Sequence, residues 1–110
     1  MADDIKALMN DIDSFTRERD WDQFHNPKDL AIALSIEASE LLETFLWKES
    51  EGANIDKVKE ELADVFNYAF LMASKFGFDV DEIVREKMAK NAAKYPVEKA
   101  KGVATKYNEL

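Results

Sequence analysis

The chain contains no cysteine, which excludes disulfides and thiolate metal sites and is compatible with a reducing intracellular compartment. It has only three glycines and two prolines beside 46% hydrophobic and 35% charged residues, the balance of a folded, helix-rich protein and not of a disordered one. No uninterrupted apolar run approaches the roughly 20 residues that span a bilayer, and the start, MADDIKALMN, lacks the basic-then-apolar order of a signal peptide. A soluble cytoplasmic protein without membrane attachment is expected. Positive charge is also in short supply. A formal net charge of −8 argues against the basic face that a phosphate backbone needs, so nucleic-acid binding is disfavoured, and an anionic ligand requires an added cation. At 110 residues the expected organisation is one domain over 1–110, with a helical core at about 3–96 and a polar tail at 97–110.

What the chain does have is helical periodicity. Ile5, Leu8, Ile12 and Phe15 recur at the spacing of a first amphipathic helix ending near Arg19. DWDQFHNP then crowds Trp21, Phe24 and His25 into a connection that closes on Asn26 and Pro27, an N-cap followed by proline at the first helical position. The second helix is read from Pro27 to Lys48, and ESEGAN as a polar loop. Asn54 caps a third helix that stops at Gly77, and Asp79 with Glu82 resembles a capping box for a fourth that Pro96 ends. The expected fold class is all-α, a four-helix up-and-down bundle. The second helix is apolar almost all round, with Leu30, Leu34 and Leu41 on one side and Ile32 and Ile36 on another. That pattern predicts burial against a second subunit, hence a homo-oligomer.

Two acidic pairs interrupt the apolar faces. Glu37 and Glu40 share one face of the second helix, and Glu61 and Asp64 share one face of the third. The helices are consecutive, so four carboxylates are expected to converge. Gathering them in a partly desolvated space costs several kcal/mol unless something positive compensates. One solution is salt bridges from Lys57, Lys48 or Lys75; taken singly, an acid on a helix usually means no more than that. The other is a hard divalent cation, for which oxygen-only ligands suit Mg²⁺, Mn²⁺ or Ca²⁺ and not zinc. The duplicated spacing favours the cation. A di-iron centre is disfavoured, because the single histidine, His25, lies in a loop and no Glu-x-x-His occurs. Carboxylate-held Mg²⁺ most often serves phosphate chemistry. On the fourth helix Lys87, Asn91 and Lys94 form one stripe suited to a polyphosphate, although lysines so spaced are ordinarily a solvated face. Trp47, projected beside Glu40 on a continuous helix, and Tyr68, one turn after Asp64, join Trp21, Phe24 and His25 as either core rings or a stacking slot for a flat heterocycle.

In order, RDWDQFHNPKDLAIALSIEASELLETFLW, EELADVFNYAFLMA and KMAKNAAKYP resemble the MazG-like all-α nucleoside triphosphate pyrophosphohydrolases, most closely their dCTP pyrophosphatase branch, over about Phe15 to Tyr107. The resemblance implies Mg²⁺-dependent cleavage between the α and β phosphates, with Mn²⁺ as a substitute, in a dimer or tetramer with active sites near subunit interfaces. It implies metal ligation by Glu37, Glu40, Glu61 and Asp64, phosphate contacts from Lys87, Asn91, Lys94 and Tyr95, and base contacts from Trp21, Phe24, His25, Trp47 and Tyr68. Two departures stand out. Many relatives have a further acid where this chain has Ile36, and arginine where it has Lys94, a point charge in place of a bidentate fork. Glu37 and Glu40 are the expected catalytic acids, with Glu40 the proton acceptor. The competing expectation is a catalytically silent helical module that senses nucleotides or pairs with another protein.

Overall fold

The computed structural model describes residues 2–110, and at residues 2, 3 and 50 the backbone alone; the first residue of the expected 1–110 domain therefore lies outside the described residues. Among them every regular element is helical. Helices α1 (Ala2–Glu18), α2 (Pro27–Glu43), α3 (Ile55–Phe76), α4 (Val80–Lys94) and the single turn α5 (Val97–Ala100) are joined by short connections, with 3₁₀ turns at Asp22–Phe24, Ser50–Gly52 and Tyr107–Glu109. The chain falls into two compact units, one running to Phe78 and the other spanning Asp79–Leu110.

In the first unit α2 and α1 pack along α3. Leu30, Leu71, Met9 and Ala73 form its buried apolar centre, Leu30 being only 1% exposed. Burial of these faces, not propensity alone, holds such helices together. The helix starts follow local chemistry. Asn26 Oδ1 accepts the Asp29 N–H at 2.9 Å while its amide donates to the Asp29 carboxylate at 2.7 Å. Asn54 Oδ1 accepts from the N–H groups of Asp56 and Lys57, and α3 ends at Gly77 with φ of 69°, the left-handed conformation that glycine adopts without strain.

The second helix is shorter than the periodicity suggests. α2 ends at Glu43, and residues 44 to 48 continue through tighter bonds, Phe45 N–H to Leu42 O at 2.9 Å and Lys48 N–H to Phe45 O at 3.1 Å. The Thr44 hydroxyl donates to Leu41 O at 2.7 Å, and Trp47 adopts a φ of 64°. Ile36 and Leu42 remain more than half exposed, the wet apolar surface anticipated for a single copy of this helix.

The second unit begins with Asp79 Oδ1 accepting the Glu82 N–H at 3.0 Å. Its last residues, expected as a polar tail or strap, carry short helical turns and ring contacts. α5 follows Pro96, and the ring of Tyr107 lies edge-on to Tyr95 at 6.1 Å and under the Lys94 ammonium at 4.8 Å.

Candidate active site

The two acidic pairs lie on α2 and α3, and the packing of these helices turns them toward each other. One carboxylate oxygen from each of Glu37, Glu61 and Asp64 lies within 4.8 Å of the other two, and all three residues are half-buried. Glu40 adjoins Glu37 and Glu61 without joining that tight trio. Three of the four expected carboxylates thus converge and the fourth borders them.

Among the described residues no cation forms an ion pair with them. Lys75 instead reaches Asp22 at 2.7 Å, and Lys57 sits 4.0 Å from Glu60; among the described residues no lysine or arginine nitrogen is within 4.0 Å of Glu37, Glu40, Glu61 or Asp64. Glu37 Oε2 and Glu61 Oε2 are buried without a hydrogen-bond partner. Polar atoms so placed are ordinarily satisfied. Burial, then the adjoining Glu40 carboxyl, then the charges of Asp64 and Glu61 push Glu37 up to about 7. Burial and Glu40 raise Glu61 as well, with Lys57 opposing, and the Tyr68 hydroxyl is raised by its own burial and by Glu37, Asp64 and Glu40. Carboxyl groups gathered at this spacing fit a hard divalent cation, which would take Glu37, Glu61 and Asp64 as ligands and remove their mutual repulsion.

A cavity opens on each side of the trio. The first, about 510 Å³, has Asp64, Asn67 and Tyr68 of α3 facing Phe15 of α1, with Trp21 and His25 from the connection. That connection is pinned. The Trp21 N–H donates to Thr16 O at 2.9 Å, the Lys75–Asp22 pair ties the 3₁₀ turn to α3, and His25 meets Tyr68 edge-on at 6.5 Å. Trp21 packs edge-on against Phe15 at 5.9 Å, which builds an aromatic wall. His25 lines this cavity, and its Nδ1 is buried and unpartnered. The second cavity, about 420 Å³, is polar, with Glu40, Glu43 and Thr44 of α2 and its end facing Asn54, Lys57 and Glu61.

Of the expected base contacts, Trp21, His25 and Tyr68 meet in the aromatic cavity. Phe24 is 63% exposed and Trp47 fully exposed, and neither lines it. Trp47 leaves the Glu40 side because the helix that would carry it there stops at Glu43. Lys87, Asn91, Lys94 and Tyr95 are exposed on α4 and its end, within the second unit. Phe15 and Asn67 were not among the expected site residues. Asn67 carried a readable signal, since it stands one turn after Asp64 and its amide donates to that carboxylate at 3.4 Å. Phe15 carried none, because its place in the apolar stripe of α1 is equally that of a core residue.

Residues 32–110 match the model of the MazG-like family. dCTP pyrophosphatase 1 from Bos taurus is 36% identical over 98% of this chain and 67% of its own length, and the Homo sapiens protein of that name is also 36% identical, over 66% of its length. A pyrophosphatase crystal structure from Archaeoglobus fulgidus superimposes with a TM-score of 0.77 at 36% identity, covering 83% of this chain and 91% of the other.

Proposed function

The chain belongs to the MazG-like family, and from that premise and the carboxylate geometry we propose a Mg²⁺-dependent hydrolase of deoxynucleoside triphosphates, dCTP first, with Mn²⁺ as a substitute. It is a nucleoside triphosphate pyrophosphohydrolase, and its products on this reading are a nucleoside monophosphate and pyrophosphate. The observation that carries the proposal is the convergence of Glu37, Glu61 and Asp64, with two orphaned oxygens, between an aromatic and a polar cavity.

Glu37, Glu61 and Asp64 would hold the divalent ion. Bound there, it would supply neutralisation of phosphate oxygens and a more acidic water. Trp21 and Phe15 flank the base, while His25 and Tyr68 address its polar edge. Glu40, beside the trio but outside it, takes the proton of the water that attacks the α-phosphorus. The bond from that phosphorus to the bridging oxygen breaks, and pyrophosphate leaves with the bridging oxygen. Lys87, Asn91, Lys94 and Tyr95 supply phosphate contacts. Phe24 and Trp47, exposed in the single chain, complete the base pocket in a homo-oligomer, dimer or tetramer, whose interface covers the apolar side of α2. We assign the whole of 1–110 to this one catalytic domain, acting in the cytoplasm and not on nucleic acid. None of the described helices is long and apolar enough to cross a membrane.

Purified protein incubated with a panel of triphosphates is expected to release monophosphate and pyrophosphate with Mg²⁺ and nothing with EDTA, cytosine deoxynucleotides reacting fastest. Diphosphate plus inorganic phosphate as products, or equal rates with and without metal, would refute it.

A further inference from the structure

The polar cavity has a feature that metal ligation leaves unused. Two lysines line it, Lys57 from the first turn of α3 and Lys48 from the turn after α2, together with Thr44 and Asn54. Lys48 has no carboxylate within 4.0 Å among the described residues, and Lys57 only the loose, exposed contact to Glu60 at 4.0 Å. The N-terminus of α3, a helix of 22 residues, opens at the same wall through its cap Asn54, which adds partial positive charge. Across the trio the aromatic cavity has Asp64 in its wall, whereas this one has Glu40 and Glu61. A triphosphate cut between its α and β phosphates has a flat base at one end and a highly charged diphosphate at the other, so a site that takes both needs an aromatic region and a separate region with cationic donors.

We propose that Lys48 and Lys57 form the seat of the β and γ phosphates, and of the pyrophosphate they become, on the side of the carboxylate trio opposite the base. This rests on the pyrophosphohydrolase reading above and extends it to residues outside α4. The two ammonium groups share the cavity with three carboxylates, Glu40, Glu43 and Glu61. A free diphosphate is therefore repelled until a divalent ion is present, so the seat fills only with metal. An ammonium also suits this position because it is a compact donor on a flexible stem, able to hold the leaving group and release it.

The test is calorimetric titration, with Mg²⁺, of pyrophosphate and separately of a nucleoside monophosphate into the wild type, Lys48→Gln, Lys57→Gln, the double variant and Lys59→Gln, an exposed α3 position outside the cavity. Each cavity lysine removed is expected to weaken pyrophosphate binding roughly tenfold, with monophosphate binding and the Lys59 variant within about twofold of wild type. Pyrophosphate affinity unchanged in the double variant, in a protein that cleaves triphosphates to monophosphate and pyrophosphate, overturns the seat and leaves the activity standing. Equal weakening of both ligands also overturns it, because the lysines would then act on the shared metal site, as Lys57 does through its charge on the Glu61 carboxyl. A wild type that releases no pyrophosphate from any triphosphate overturns the activity and the seat together.

Discussion

Acids in the two units of this chain meet opposite fates. On α4, the half-buried Asp81 receives the exposed Arg85 guanidinium one turn on, both carboxylate oxygens 3.1 Å from Nε. Such a pair is locally balanced and contributes little to stability. Between α2 and α3, Glu37 and Glu61 form no ion pair among the described residues, and each keeps a buried oxygen without a hydrogen bond. None of residues 79–110 is fully buried, whereas the unit that holds α1 to α3 buries Leu30, Leu71 and Ala73. The difference teaches that acidity alone marks no site. An acid gains chemistry where packing removes water and withholds a counter-charge, so that only something from outside the chain can balance it.

The largest expected effect tests that contrast directly. Glu37→Gln or Asp64→Asn should lower kcat/KM by at least about a hundredfold in a pyrophosphate-release assay while circular dichroism shows an intact fold. Asp81→Asn, on the balanced pair, should stay within about twofold. Comparable losses at both places would erase the distinction. Next in size is packing. Leu30→Ala should cost about 2 to 5 kcal/mol in chemical denaturation, whereas Met88→Ala, 60% exposed on α4, should cost under about 0.5 kcal/mol. A larger penalty at Met88 would show that the wet face of α4 is covered in the assembled protein.

The smallest effect is electrostatic. In metal-free protein Glu37 titrates at about 7 against an ordinary value of 4.5, so between those values the folded state holds a proton that the unfolded state has lost. Stability from this group is therefore full below the ordinary value, falls as pH rises through about 7, and is level above it. The melting temperature of metal-free wild type should decline from pH 5 to pH 8 more steeply than that of Glu37→Gln, and Mg²⁺ should restore stability at the upper end, where its ligands are deprotonated. Parallel melting curves for the two proteins would mean that Glu37 is not held as described.

Helix starts were legible because capping is a local transaction. Asn26 with Pro27, Asn54 and Asp79 each serve N–H groups within three residues, and Gly77 supplies its own left-handed turn. The end of α2 was not legible. LETFLWK continues the apolar pattern without a glycine or proline, and the stop at Glu43 comes from the Thr44 bond back to Leu41 and the tightening that follows. One misplaced helix end carried Trp47 away from where periodicity put it. The segment from Pro96 onward was legible as a polar tail or strap, but its contacts were not, since they depend on Tyr107 meeting Tyr95 and Lys94 across twelve or more residues of polar chain.

By itself the sequence determined an all-α chain, its capped starts and the pairing of acids on single helix faces, because each depends on residues within one turn of one another. Tertiary structure alone decided that Glu37, Glu61 and Asp64 meet while Glu40 stands at their edge, and that Phe15 and Trp21 wall one side while Lys48 and Lys57 line the other. Those outcomes depend on the separation of packed helices and on the reach of individual side chains. No periodicity within a segment encodes the distance between two segments.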